Sequence, residues 1–287
     1  MKTEGYELLS SQEEGCFYSP EPPRFAPPFR GACRYLISLD YDGTLRQDHE
    51  AVSPAFFELM AAWRPHGVRW GINTGRSLHK LAAELRGFPF LPDFICTCER
   101  YAYLADAEGM LRPAAEHNAH CHRANMQLRA ELLPTWQTFL SNMRAAAPAL
   151  KWETAQDDPL SIEATDSATL DALMPAITSF ARPCRHTAIQ RAGRFMRLSD
   201  SRFTKGSALR CVQQSWQTPE HALFIMGDGH NDLDAFRLFP DAFCAAPANA
   251  HADVLKWLSR HGGYISPGSG VLEALLHWAD LHHITEV

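Results

Sequence analysis

Residues 34–45 read RYLISLDYDGTL, an apolar run that stops abruptly at two carboxylates, Asp40 and Asp42. An uninterrupted run of this length, ended by a turn, is what a β-strand buried on both faces looks like. In open parallel sheets ligands gather at the carboxyl ends of the strands, so the Asp40–Leu45 loop falls where a site belongs. Two carboxylates one residue apart are costly to bury unless a cation neutralises them. Gly43 permits a tight turn, and Thr44 can cap the backbone locally. Read alone, the stretch fits an ordinary Asp-Gly turn as well as a cation site.

Outward from this strand the rhythm is α/β. A helix is expected in SPAFFELMAAW (53–63), with Ser53 as cap. A strand is expected in VRWGIN (68–73), a helix in SLHKLAAELR (77–86), and an extended segment in PDFICTCERYAYL (92–104). The middle differs. A long helical stretch over roughly 118–145, interrupted by Pro134, precedes LKWET, LSIEA, a helix in SATLDALMPAITSF, and strands in CRHTAIQR and RFMRLSD. That αββαββ order predicts an antiparallel sheet with helices on one face. Parallel rhythm returns after Ser201: helix KGSALRCVQQSW, strand HALFIM, helix NDLDAFRLF, strand AFCAA and helix ADVLKWLSR. The expected architecture is one α/β core, residues 31–108 and 196–287, interrupted by an α+β cap at 109–195. Residues 1–30, with five prolines in SPEPPRFAPPFRG, form an expected surface extension outside both.

Three more constellations carry chemistry. GINTGRS (71–77) places a hydroxyl, Thr74, before Gly75 and Arg76 at a strand end, offering an O–H and free N–H groups to an anion. A plain N-cap by Thr74 or Ser77 explains the same residues. Lys205 opens a helix, where the dipole disfavours a cation, so its target is something negative or it is a surface lysine. GDGHND (227–232) adds Asp228, Asn231 and Asp232 at another strand end. Oxygen donors with few histidines suit Mg²⁺. His230 reads as a solvent-facing turn residue. His117, His120, Cys121 and His122 invite a transition-metal reading, against which stands a polar, solvated start to the cap helix.

Composition narrows the partners. Of 287 residues 46% are hydrophobic and 21% charged, an ordinary globular balance. A net charge of −6 argues against nucleic acid or an anionic membrane. A phosphate substrate therefore relies on local cations. Eight cysteines without a close-set framework, an N-terminus without an apolar core and no run of membrane-spanning length predict a cytoplasmic location. Oligomeric state leaves no signal.

The four constellations, in this order, resemble the motifs of the haloacid dehalogenase superfamily. DYDGT, the Thr74 loop, Lys205 and GDGHND each match one motif, over roughly residues 33–287. The insert looks like the cap of Cof-type members, shared by sucrose-phosphatase-like, trehalose-phosphatase-like and phosphomannomutase-like relatives. SPGSGVLEALLHW (266–278) looks like the family's final Gly-Val helix. The resemblance implies a Rossmann-like core with an inserted cap, and Mg²⁺-dependent hydrolysis of a small phosphorylated metabolite, a sugar phosphate foremost. Asp40 would be the nucleophile and Asp42 the acid and base. Asp40, the Asp42 carbonyl and Asp228 would hold Mg²⁺, with Asn231 and Asp232 orienting them. Gly43, Thr74, Gly75, Arg76, Lys205 and Asn231 would face the phosphate. An Asp at position 42 favours phosphatase or phosphomutase over dehalogenase; a phosphosugar mutase is the alternative, and a phosphoacceptor signalling or binding module lies further off. One departure stands out: many Cof-type members have Asn-Gly where this chain has Cys98-Glu99-Arg100. Glu99 is expected to ion-pair with Arg100 or a cap arginine, or to contact substrate.

Overall fold

The computed structural model describes residues 26–29, 31–47, 50–155, 158–268 and 270–284. The strand in 34–45 forms as β1 (Tyr35–Leu39), and helix α1 (Pro54–Trp63) leads to β2 (Val68–Asn73). Helix α2 (Leu78–Leu85) then joins β3 (Phe94–Thr97), which turns back into β4 (Tyr101–Ala105) and β5 (Leu111–Pro113). After the insert come α5 (Lys205–Trp216), β10 (Leu223–Met226), α6 (Leu233–Leu238), β11 (Phe243–Pro247), α7 (Ala252–His261), β12 (Tyr264–Ser266) and α8 (Val271–Leu281). These strands build one eight-stranded sheet in the order β12-β11-β10-β1-β2-β3-β4-β5, parallel from β12 to β3 and antiparallel beyond.

The alternation along each strand explains the unbroken apolar runs. Ile37, Leu39, Trp70, Ile72, Phe224 and Met226 face α1, α2 and α8 on one side; Leu36, Leu223 and Ile225 face α5, α6 and α7 on the other. Both faces are covered, so neither set of side chains needs to be polar.

The insert makes a second sheet. Helix α3 (Ala115–Ala146), β6 (Trp152–Glu153), β7 (Ser161–Ala164), α4 (Ser167–Ala181), β8 (Thr187–Ala192) and β9 (Phe195–Asp200) follow the expected αββαββ order. The four strands pair antiparallel as β6-β7-β9-β8 around a separate apolar cluster. By sheet membership the insert covers 115–200 rather than 109–195. Residues 111–113 pair with β4 and so extend the large sheet, while β9 is bonded on both sides within the small one.

Pro134 does not interrupt α3. It sits on the exposed side, so the carbonyl it leaves without a helical donor is open to water. An interior proline costs about 3 kcal/mol. Leu128, Leu132, Trp136 and Leu140 are buried at helical spacing on the opposite face, each large apolar side chain contributing roughly 1.5–3 kcal/mol. Burial wins. The extension also needs correction at its end. Residues 1–25 lie outside the described residues, but Ala26 is fully buried, its N–H donating to the Gly109 carbonyl. The Arg64 and Arg69 guanidinium groups lie over the Phe29 ring, at 5.2 and 4.2 Å from its centre.

Candidate active site

Strand β1 lies between β2 and β10, so the loops after all three meet at one edge of the sheet. This is where the strand order reverses direction, the usual place for a ligand crevice. Asp40 follows β1, Thr74 follows β2 and Asp228 follows β10. Lys205, at the first position of α5, completes the group from the side.

Lys205 is 1% exposed, and its Nζ donates to Asp40 Oδ1 and Asp232 Oδ1, both at 2.7 Å. Burial alone would lower its pKa; the two carboxylates more than offset this and hold it raised. This contact accounts for a lysine at the wrong end of a helix dipole. Thr204 and Ser207 cap the same turn reciprocally, and Asn73 Nδ2 donates to the Lys205 carbonyl at 3.0 Å. Asp232 also accepts from the Gly229 N–H at 2.9 Å.

Asp228 accepts from the Thr44 hydroxyl at 3.2 Å, so Thr44 serves this carboxylate instead of capping its own turn. Gly43 has φ +78, and a Cβ there would lie 2.4 Å from Asp228 Oδ2. Only glycine allows that approach. Carboxylate oxygens of Asp40, Asp228 and Asp232 lie within 4.8 Å of one another. Burial, then the neighbouring carboxylates, pushes Asp228 up. Burial also raises Asp232, although Lys205 opposes it. Three carboxylates thus share one ammonium, and the uncompensated negative charge fits a divalent cation with oxygen ligands. Asp40 and Asp228 are the residues suited to hold it, since Asp232 is already engaged by Lys205 and Gly229.

The phosphate-directed residues divide. Thr74 is buried, its Oγ1 accepting from the Arg76 N–H at 3.1 Å, while Ser77 caps α2. Thr74 and Gly75 line the same cleft as Asp40, to which Lys205 is bonded. Arg76 turns elsewhere: Nε and Nη2 each donate to an Asp42 oxygen at 2.6 Å, in a two-pronged pair with half of the Asp42 side chain exposed. Asn231 Nδ2 donates to Glu99 Oε1 at 2.7 Å.

Glu99 therefore does not pair with Arg100. Among the described residues it forms no ion pair, and its second oxygen is buried without a donor. The reason is backbone geometry. Cys98 and Glu99 have φ of 51 and 63, and the Arg100 N–H closes the turn onto the Thr97 carbonyl at 3.0 Å. Both central residues of this β3–β4 turn are left-handed, which Asn-Gly adopts readily and other residues only at about 1–2 kcal/mol each. The turn aims Glu99 behind Gly75, where a Cβ on the glycine would lie 3.2 Å from Oε1. The cap arginine that does reach this seam is Arg197 of β9, donating to the Cys98 and Gly75 carbonyls at 3.4 Å and pairing with Asp158 at 3.4 Å.

Between the sheets lies a cleft of about 760 Å³. Asp40, Thr74 and Asp228 form its floor; Asn125, Arg129 and Arg197 belong to its roof. Among the described residues His117 joins no group of metal-ligating side chains: Nε2–H donates to the Arg100 carbonyl at 2.8 Å, and Cys121 is fully buried. Arg129, Arg197 and Asp158 were not singled out from the sequence. Arginines at helical or strand spacing look like any solvated face until the insert is folded over the sheet.

No family model and no curated protein matches the sequence. Solved structures do. The sucrose-phosphatase from Synechocystis sp. PCC6803, in complex with sucrose and phosphate, superposes with a TM-score of 0.63 at 20% identity, covering 85% of this chain and 98% of that one. The haloacid dehalogenase-like hydrolase yhjK from Bacillus subtilis gives 0.59 at 11% identity, covering 91% and 96%. A haloacid dehalogenase-like hydrolase from Bacteroides thetaiotaomicron gives 0.55 at 19%, covering 85% and 98%. Likeness at this identity speaks to architecture, and on that ground the chain has the fold of the haloacid dehalogenase-like hydrolases, with an inserted α/β cap over the active edge of the sheet.

Proposed function

We propose that the protein is a Mg²⁺-dependent phosphatase acting on a small phosphorylated metabolite, a sugar phosphate foremost, through an aspartyl-phosphate on Asp40. One observation carries this reading: Asp40, at the end of the central strand, is held by a buried lysine on the floor of a cleft large enough for a sugar. The sucrose-phosphatase likeness supports the substrate class.

In the first step an Asp40 oxygen attacks phosphorus and the ester P–O bond breaks, with Asp42 giving its proton to the departing oxygen. In the second, Asp42 takes a proton from water as that water attacks the aspartyl-phosphate, releasing phosphate and restoring Asp40. Lys205, the Thr74 hydroxyl and the Gly75 N–H face the phosphoryl oxygens as charge spreads over them. Bound Mg²⁺ would neutralise the Asp40 and Asp228 carboxylates, so that an anionic ester can approach them. Asp42 must leave Arg76 before it can donate, because both of its oxygens accept from the guanidinium. Substrate entry is the natural trigger, the phosphate drawing Arg76 away.

A cytosolic location belongs to the same proposal: the seven described cysteines form no disulfide, and no helix of the described chain is long and apolar enough to cross a membrane. A phosphosugar mutase is the second reading. Arg129 faces the cleft from α3 without a carboxylate partner among the described residues, and Arg100 of the β3–β4 turn has its Nε buried without an acceptor, so the cleft offers cations to a second anion.

The test is phosphate release from a panel of phosphorylated metabolites and an aryl phosphate, with Mg²⁺ and with excess chelator. Asp40→Asn should lower turnover at least about a thousandfold, roughly 4 kcal/mol of barrier. Near wild-type turnover in that variant, or undiminished activity in chelator, would sink the mechanism. A requirement for a bisphosphate activator, with little phosphate released, would select the mutase.

A further inference from the structure

A second group of metal-ligating side chains stands outside the cleft. The short turn 230–232, which follows β10, carries His230, and the first turn of α7 carries His251 and Asp253. His230 Nε2 lies 2.9 Å from Asp253 Oδ2, and His251 Nδ1 lies 3.9 Å from the same oxygen. All three ligand atoms fall within 4.8 Å of one another. A tetrahedral ion with bonds of about 2.0–2.1 Å sets its ligands about 3.3 Å apart, so the observed spacings bracket what such an ion requires. The two imidazole rings pack with centroids 3.7 Å apart at 45°.

We propose that His230, His251 and Asp253 bind a transition-metal ion of the Zn²⁺ class, at a site separate from the carboxylates of the cleft. The donor chemistry separates the two. Two imidazole nitrogens and one carboxylate favour Zn²⁺, Ni²⁺ or Cu²⁺ over Mg²⁺, whereas Asp40 and Asp228 offer oxygen alone. The side chains are 28%, 44% and 59% exposed, which leaves room for water as a fourth ligand.

Two local features oppose an ion here, and each has an answer. The positive end of α7 repels a cation, but Asp253 supplies a full negative charge in the same turn. His251 Nδ1 now accepts from the Asp253 N–H at 3.2 Å, a long bond at an exposed helix end that water can replace. A surface ion pair accounts for His230 with Asp253, and an N-cap accounts for His251. Neither accounts for three ligating atoms converging within 4.8 Å of one another.

The site's position gives it a consequence. The His251 N–H donates to the Asp228 carbonyl at 2.9 Å, and His230 is two residues beyond Asp228. An ion there ties the first turn of α7 to the loop that presents Asp228, holding that loop without taking part in the chemistry. The proposal stands whether or not the protein is a phosphatase.

The experiment is calorimetric titration of the full chain with Zn²⁺ in saturating Mg²⁺, which keeps the cleft carboxylates occupied, followed by thermal melting. The variants are His251→Asn, which keeps an N-cap acceptor while removing the imidazole, and Asp253→Asn. One Zn²⁺ per chain at micromolar affinity, a raised Tm, and at least tenfold weaker binding in both variants are expected. Co²⁺ in place of Zn²⁺ should give the visible absorption of a four-coordinate ion in wild type and lose it in His251→Asn. No Zn²⁺ binding by wild type, or wild-type affinity in both variants, overturns the proposal.

Discussion

At and beneath the floor of the cleft, Asp40, Lys205 and Asp232 are at most one-tenth exposed and joined by 2.7 Å contacts. On its roof, Arg194 and Glu163 pair at 2.8 Å with about half of each side chain in solvent, and Arg197 reaches the core only through 3.4 Å contacts. An exposed pair such as Arg194 with Glu163 contributes about 0–1 kcal/mol, whereas removing one member of a buried pair costs about 3–5 kcal/mol. The floor is therefore set before any substrate arrives. The roof can rearrange around whatever enters. On the proposed function, the groups that would contact the part shared by all phosphate esters are rigid, and those that would meet the variable part are adaptable.

The contrast is tested hardest at Lys205. Lys205→Met should destabilise the fold by about 3–5 kcal/mol in urea denaturation without metal, because Asp40 and Asp232 lose their counter-charge. Adding Asp232→Asn should recover part of that loss. A Lys205→Met protein as stable as wild type would mean that the floor is no more fixed than the roof.

A smaller effect is expected at Arg197. Arg197→Gln should cost about 1–2 kcal/mol, the range for hydrogen bonds from a charged donor discounted for their length. It should raise KM for a sugar phosphate while kcat for an aryl phosphate stays within about threefold of wild type. A fall in kcat with both substrates would place the roof in the chemistry and dissolve the distinction.

The smallest effect belongs to the seam. Burial holds the His117 pKa below its ordinary 6.5, so the unfolded chain takes up a proton first as pH falls. Its contribution is complete above pH 6.5 and is lost as pH drops through the folded-state pKa. His117→Gln should flatten the decline of Tm between pH 7.5 and 5.5; an unchanged slope would show that the seam does not feel this group.

Much of this arrangement was legible in the residues themselves. Strands buried on both faces announce themselves as apolar runs, and their ends at Asp40, Thr74 and Asp228 locate the floor. Lys205 was legible as a charge at odds with its helix. The short β12 (YIS) was not, because three residues, two of them partly exposed, carry no period. Arg76 with Asp42, Glu99 with Asn231, and His230 with Asp253 join residues far apart in sequence, so local pattern could not pair them. Pro134 misled for a similar reason: its cost is local and evident, while the burial that offsets it is tertiary.

The placing of β1 between β2 and β10 also constrains how the chain can be made. Leu36 pairs with Leu223, so during synthesis the central strand waits as a bare edge until almost all of the protein has emerged. An unpaired edge of apolar residues is a template for pairing with another chain, and contacts of such long range form slowly. The insert draws its core from α3, α4 and its own strands, and can complete that core meanwhile. A ribosome-bound chain stopped before residue 223 would thus carry a finished roof above an open sheet, with Asp40 already made and Lys205 present but Asp232 still missing from their shared contact.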